Sequence, residues 1–316
     1  MSMRQRLLLL AALTLCAAVA APAVSQANFR VGIGDQSPGM FDNAAFQSLK
    51  IKRVRYLVPY DWYRDAGQNG QVVAFMVRAR AARADVLVHF TARRGCFDKG
   101  RYSKRKACRA PSVKSYTKAV KRFRKAYPWV KTYGAWNEAN HVSQPIAKNP
   151  KRAAQYFLAL RKACKGCQIV AADVLDISNM RSYLRRFLRN AKGRAKIFGL
   201  HNYQDVNRVT AEDTRIMLDT VPGQVWLTET GGILTLLPSF KRNLKRQAAR
   251  TKQMFKLANR YDSRQRGLRS KITRLYNYEW TGHPRGARFD AGLTNEDGSP
   301  RPAYKTFKRL ARKRQR

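Results

Sequence analysis

Apolar, β-branched runs alternate with helical patterns eight times along this chain, and that rhythm limits its fold more than any other feature. Strands are expected over 29–34, 53–58, 85–90, 130–136, 168–174, 196–203, 224–228 and 271–278. Helices are expected over 41–50, 72–83, 112–126, 150–165, 178–191, 211–220, 240–261 and 302–311, the third with Pro111 at its first position. Eight such units of about 36 residues suit an α/β fold, a single (β/α)8 TIM barrel of about 250 residues plus loops. An open doubly wound sheet is the rival, and it would carry a glycine-rich phosphate turn after its first strand. Here Gly32-Ile33-Gly34 runs into Asp35-Gln36-Ser37-Pro38-Gly39, without the third glycine or the continuing helix. No linker or second domain interrupts the rhythm, so one barrel is expected over 28–316.

The first 27 residues stand outside that rhythm. Arg4 and Arg6 precede an almost wholly apolar run over 7–21, and Ser25-Gln26-Ala27 fits a small-x-small cleavage site. This reads as a secretory signal peptide over 1–27, the run being short for a membrane span of about 20 residues. The product is expected to be secreted, monomeric and free of the membrane. Four cysteines remain in it, and in an exported chain they suggest two disulfides. Local pairing, Cys96 with Cys108 and Cys164 with Cys167, is the simplest of three connectivities; a zinc site built from all four is the alternative.

Sixty-four Lys and Arg against 19 Asp and Glu give a formal charge of +45. Such an excess suits a polyanionic setting, such as an anionic cell wall or an acidic polysaccharide matrix. No helix-turn-helix, zinc-finger or RNA-binding signature accompanies it, so no specific nucleic-acid partner is expected.

In a barrel of this kind chemistry sits where the strands end. Those ends carry Trp62, His89, Trp136-Asn137-Glu138, His201-Asn202-Tyr203, Thr228-Glu229 and Glu279-Trp280. All four histidines lie at or just past such ends, and glutamates recur there although carboxylates are scarce. Two carboxylates facing one cavity suit glycosidic bond cleavage, one donating a proton while the other attacks. Their mutual repulsion would separate their proton affinities. Trp62 and Trp280 are candidate platforms for sugar rings. The histidines come from different strands without close paired spacing, so no metal is expected, and the chemistry needs no cofactor.

Trp136-Asn137-Glu138 at strand four and Thr228-Glu229-Thr230-Gly231 at strand seven resemble clan A of the glycoside hydrolases, retaining (β/α)8 enzymes that include cellulases and β-xylosidases. The resemblance extends to His201-Asn202-Tyr203, Trp280 and the closing run 292–304, and in rhythm it covers the whole mature chain. It implies Glu138 as acid/base and Glu229 as nucleophile in a double displacement on a poly- or oligosaccharide. It implies Asn137 on the sugar 2-hydroxyl, Tyr203 bonded to the nucleophile, His201 lining the pocket and Trp280 beneath the reacting sugar. Arg55 would support the nucleophile from below, and His89 joins the substrate-binding candidates. Ala139 departs from the proline of many members. The alternative is a catalytically inert, cationic barrel that binds cell wall or another polyanion.

Overall fold

The computed structural model describes residues 29–263 and 265–314, so the expected signal peptide lies outside the described residues. Eight parallel strands close into a barrel: β1 Arg30–Gly34, β2 Arg53–Pro59, β3 Asp85–Thr91, β4 Thr132–Gly134, β5 Gln168–Leu175, β6 Ile197–His201, β7 Gly223–Thr230 and β8 Ser270–Tyr278. Each pairs with its neighbours in sequence, and β8 returns to β1. Most strand residues are buried, as expected where helices cover one face and the barrel interior fills the other.

The helices are α1 Ala44–Gln47, α2 Ala66–Ala81, α3 Val113–Ala126, α4 Pro150–Ala163, α5 Met180–Asn190, α6 Tyr203–Arg208, α7 Glu212–Thr220, α8 Leu244–Arg260 and α9 Pro302–Arg312. Side-chain caps decide several boundaries. Asn43 accepts bonds from the Ala45 and Phe46 amides, so it starts α1 in the middle of the helix expected over 41–50. A 3-10 turn, Pro38–Asp42, occupies the first part. Asp65 accepts from the Gln68 amide at 2.9 Å, and α2 begins six residues earlier than its apolar pattern suggests. Ser112 caps α3 through the Ser115 amide, which leaves Pro111 before the helix and not at its first position. α6 interrupts the expected loop after β6.

The main core lies between barrel and helices; Leu87, Val170, Trp226 and Tyr276 form a separate buried cluster from β3, β5, β7 and β8. Above that cluster the fold makes room for polar groups. A β-carbon on Gly134 would overlap the His89 ring, and one on Gly199 would overlap the Asp173 carboxylate. Both disulfides are local, Cys96–Cys108 and Cys164–Cys167, so the four cysteines do not gather at one metal. Among the described residues no helix is long and apolar enough to cross a membrane.

Candidate active site

Strand alternation alone would not bring the polar groups together. From Trp226 inward, a period of two puts Thr228 inside the barrel and Glu229 outside. β7 carries one extra residue against both neighbours: Leu200 and His201 of β6 face Leu227 and Glu229, and Leu275 and Asn277 of β8 face Leu227 and Thr230. The bulge brings Glu229 to the same centre as Thr228. β5 has a similar irregularity between Val170 and Asp173, and it aims Asp173 at the same place.

Arg55 stands at the middle, fully buried, and its guanidinium uses nearly every donor. Nη1 donates to Glu229 Oε1 at 2.5 Å, Nη2 to Asn137 Oδ1 at 2.6 Å and to Asp173 Oδ2 at 3.3 Å, and Nε to His89 Nδ1 at 2.9 Å. His201 is the second hub. Its Nε2 lies 3.0 Å from Asp173 Oδ2, and its Nδ1 lies 3.2 Å from Glu138 Oε1 and 3.6 Å from Glu229 Oε2. Thr228 donates to the other Asp173 oxygen. Tyr203 reaches Glu229 Oε2 at 3.5 Å. One oxygen of Glu138, one of Glu229 and a nitrogen of His201 all lie within 4.8 Å of one another. These donor types suit a metal, but the Arg55 guanidinium already supplies a cation at Glu229.

Burial works to discharge His201, but the charges of Glu229 and Asp173 and the bonds to Asp173 and Glu138 outweigh it and push the imidazole up to about 10. The ring is therefore cationic at neutral pH. Burial also opposes the charge on Glu138, yet the bond and charge of His201 hold that carboxyl below its ordinary value. The nearby cation thus governs Glu138, not repulsion between the two glutamates. Asp173 is driven far below the carboxylate range by both histidines and Arg55, against its burial. His89 is the opposite case, since burial leaves it neutral with a value pushed down to about 3.

A cleft of about 550 Å³ opens above this network, lined by Asn137, Glu138, Tyr203, Glu229, Tyr278 and Phe289 among others. Glu138 follows β4 with a left-handed backbone, φ +44°. Its side chain is 21% exposed against 8% for Glu229, so it is the more open of the two carboxylates. Arg55, Asn137, Glu138, His201, Tyr203 and Glu229 therefore share one centre.

Four sequence expectations are displaced. Trp280 is 1% exposed and packs edge-on against Phe46 and Tyr304 in the core, because β8 ends at Tyr278 and the chain turns away. Trp62 rides a 3-10 turn toward Phe123 and Tyr127 and is likewise core. Neither is a platform. Tyr278, in line with the inward Tyr276, faces the cleft with Phe289 stacked on it at 6.4 Å between centroids. His89 and His201 are fully buried beneath the cleft, where they hold Arg55, Asp173 and Glu138 in place and do not line the pocket. Asp173 was not anticipated, although a lone acid inside the apolar run Ile169-Val170-Ala171-Ala172-Asp173-Val174 was a visible signal.

A protein-family model described as "Glycosyl hydrolase catalytic core" matches residues 109–307, from before α3 into α9. The chain belongs to this family. It is a glycoside hydrolase, its substrate is a carbohydrate, and the (β/α)8 barrel implied by the clan A resemblance is the fold observed. No curated protein matches this glycosyl hydrolase at a significant level. A GH5_18 enzyme from Streptomyces cattleya, solved in complex with GlcNAc, is 13% identical, with 92% of this chain and 81% of that one covered and a TM-score of 0.61. A GH10 endoxylanase from a sugarcane soil metagenome is 12% identical, with 90% and 97% covered and a TM-score of 0.60. Xylanase 10B from Thermotoga maritima is 12% identical, with 91% and 96% covered and a TM-score of 0.57. At such identities the likeness is one of fold.

Proposed function

We propose that this glycosyl hydrolase is a secreted, retaining O-glycosidase of poly- or oligosaccharides, with Glu138 as acid/base and Glu229 as nucleophile. One observation carries the reading: oxygens of the two glutamates come within 4.8 Å of each other at the cleft. Retaining enzymes hold such carboxyl groups about 5–5.5 Å apart, while inverting ones need about 6.5–9.5 Å for an intervening water.

The surroundings suit the two roles. Arg55 and Tyr203 hydrogen-bond Glu229 and hold its carboxylate aimed at the cleft, so it attacks the anomeric carbon as the leaving-group bond breaks. Glu138 gives its proton to the departing oxygen. After the ester forms, Glu138, held below its ordinary value by His201, deprotonates the incoming water, whose oxygen attacks the anomeric carbon and releases Glu229. Because Arg55 occupies Asn137 Oδ1, the amide Nδ2 is the end left for a sugar hydroxyl. Tyr278 and Phe289 offer flat apolar faces to the ring. Since His201 holds the Glu138 carboxyl low, the protonated acid is more populated in acid, and activity is expected to be greatest below neutral pH.

Export rests on the leader-like first 27 residues, and association with an anionic wall or matrix rests on the charge of +45. The test of mechanism is stereochemical. With an activated aryl glycoside and azide, Glu229→Ala should give the glycosyl azide of inverted configuration, and Glu138→Ala that of retained configuration. Wild-type-like turnover in either variant removes that residue from the mechanism.

A further inference from the structure

A second cavity of about 420 Å³ lies beside the catalytic cleft, and the mechanism above makes no use of it. The two share Leu57 as a wall. His141 of the cleft bonds Ser143 of the second cavity at 2.8 Å, and the Phe97 ring rests against His141 at 6.2 Å. The two spaces therefore adjoin across a thin partition near Glu138.

The second cavity has its own chemistry. Arg93, Arg94 and Gln36 line it. Arg93 is tied to the buried Asp61 at 3.2 Å. Arg94 has no ion pair among the described residues; it donates only to the Gln71 side-chain oxygen. Both polar atoms of the Gln36 amide are buried without a hydrogen-bond partner, although buried amides are normally satisfied. The basic wall continues through the disulfide-closed loop, where residues 93–109 hold eight Lys or Arg and one acid, Asp98. Phe97 and Val142, two of the few exposed large apolar side chains, stand at this end. A guanidinium without a carboxylate, an amide without a partner and an apolar rim together suit a sugar that carries hydroxyls and an anionic substituent.

We infer that this cavity is a second saccharide subsite that receives an anionic sugar residue of the same chain cleaved between Glu138 and Glu229, with Arg94 on the charge and Gln36 on a hydroxyl. The inference rests on the glycosidase reading. It makes the substrate an acidic glycan that spans both cavities. Carboxylate, sulfate and phosphate esters share this chemistry.

The test is direct binding. Glu229→Gln protein, which leaves the second cavity unchanged, is titrated calorimetrically with oligogalacturonate, a sulfated galactan oligosaccharide, a phosphorylated mannan oligosaccharide and neutral xylohexaose. At least one anionic probe should bind more tightly than the neutral one. Arg94→Gln should weaken that probe about tenfold, as one charge-assisted bond is lost. Arg185→Gln, the same charge change on exposed α5, should leave it unaltered. The preferred probe tells carboxylate from sulfate or phosphate. Equal weakening by both substitutions would reduce the effect to diffuse surface charge and overturn the subsite. So would equal affinity for neutral and anionic probes, or no binding of any. Wild-type turnover of aryl glycosides is measured separately, so loss of the subsite leaves the glycosidase reading standing, and absence of turnover fails that reading alone.

Discussion

His201 is the group whose charge the structure specifies most sharply, and its replacement by Gln tests the electrostatics of the site. Every close neighbour of its two nitrogens except Arg55 is a carboxylate oxygen. The imidazole is thereby raised to about 10 from the ordinary 6.5. A group raised in the folded state contributes stability that is complete below its unfolded value and is lost as pH rises through its folded one. The window here runs from about 6.5 to about 10. That gap corresponds to about 5 kcal/mol at pH 6, at about 1.4 kcal/mol for each pH unit. The depressed Asp173 is the same attraction seen from its partner and adds nothing further. Gln keeps the volume and one donor but never the charge. Urea denaturation of wild type and His201→Gln should therefore differ by about 3–5 kcal/mol at pH 6 and by little near pH 10. Titration of the many surface lysines cancels in the difference. A second readout is the basic limb of the kcat/KM profile. In the proposed mechanism Glu138 donates a proton only while protonated, and without the cation it keeps that proton to higher pH, so that limb should move upward. A stability difference of equal size at both pH values would mean that His201 is neutral in the fold and would refute the reasoning.

Three further outcomes follow from the geometry. Arg55→Met leaves Glu229 and Asp173 buried without their shared cation and should cost about 3–5 kcal/mol, read as a lower Tm, whereas Arg55→Lys should restore part of it because the charge survives and the fork does not. Gly199→Ala forces a methyl onto the Asp173 carboxylate; kcat should fall more than 10-fold while the protein stays folded, and unchanged kcat would show that Asp173 does not position His201. Tyr278→Ala should raise KM for a carbohydrate substrate several-fold, while Trp280→Phe, a change in the core, should lower Tm by a few degrees without a comparable effect on KM.

The barrel and its eight strands were legible because parallel strands buried on both faces spell long apolar runs, and the intervening helices set their spacing. Glu138 and Glu229 stood out because carboxylates are rare in so basic a chain. The strand-eight aromatic was misplaced by two residues, since apolar content alone does not say where a strand ends and whether the next aromatic turns into the core. The bulges in β5 and β7 leave no mark in composition or period, yet they aim Asp173 and Glu229. The roles of His89 and His201 beneath the cleft depended on Gly134 and Gly199, whose missing side chains say nothing until the neighbouring strands are in place.

The left-handed backbone at Glu138 has an evolutionary consequence. Residues with a side chain avoid this conformation, and glycine or asparagine takes it more easily. Along a lineage that lost the need to cleave its glycan, that position would be released from purifying selection and free to drift toward a residue the turn prefers. A homologue with Asn or Gly after the strand-four asparagine would then be a pseudoenzyme whose barrel had gained local rest where it gave up its acid. Selection for thermal tolerance and selection for turnover pull in opposite directions at this one residue, as they do wherever strain is kept at a working site.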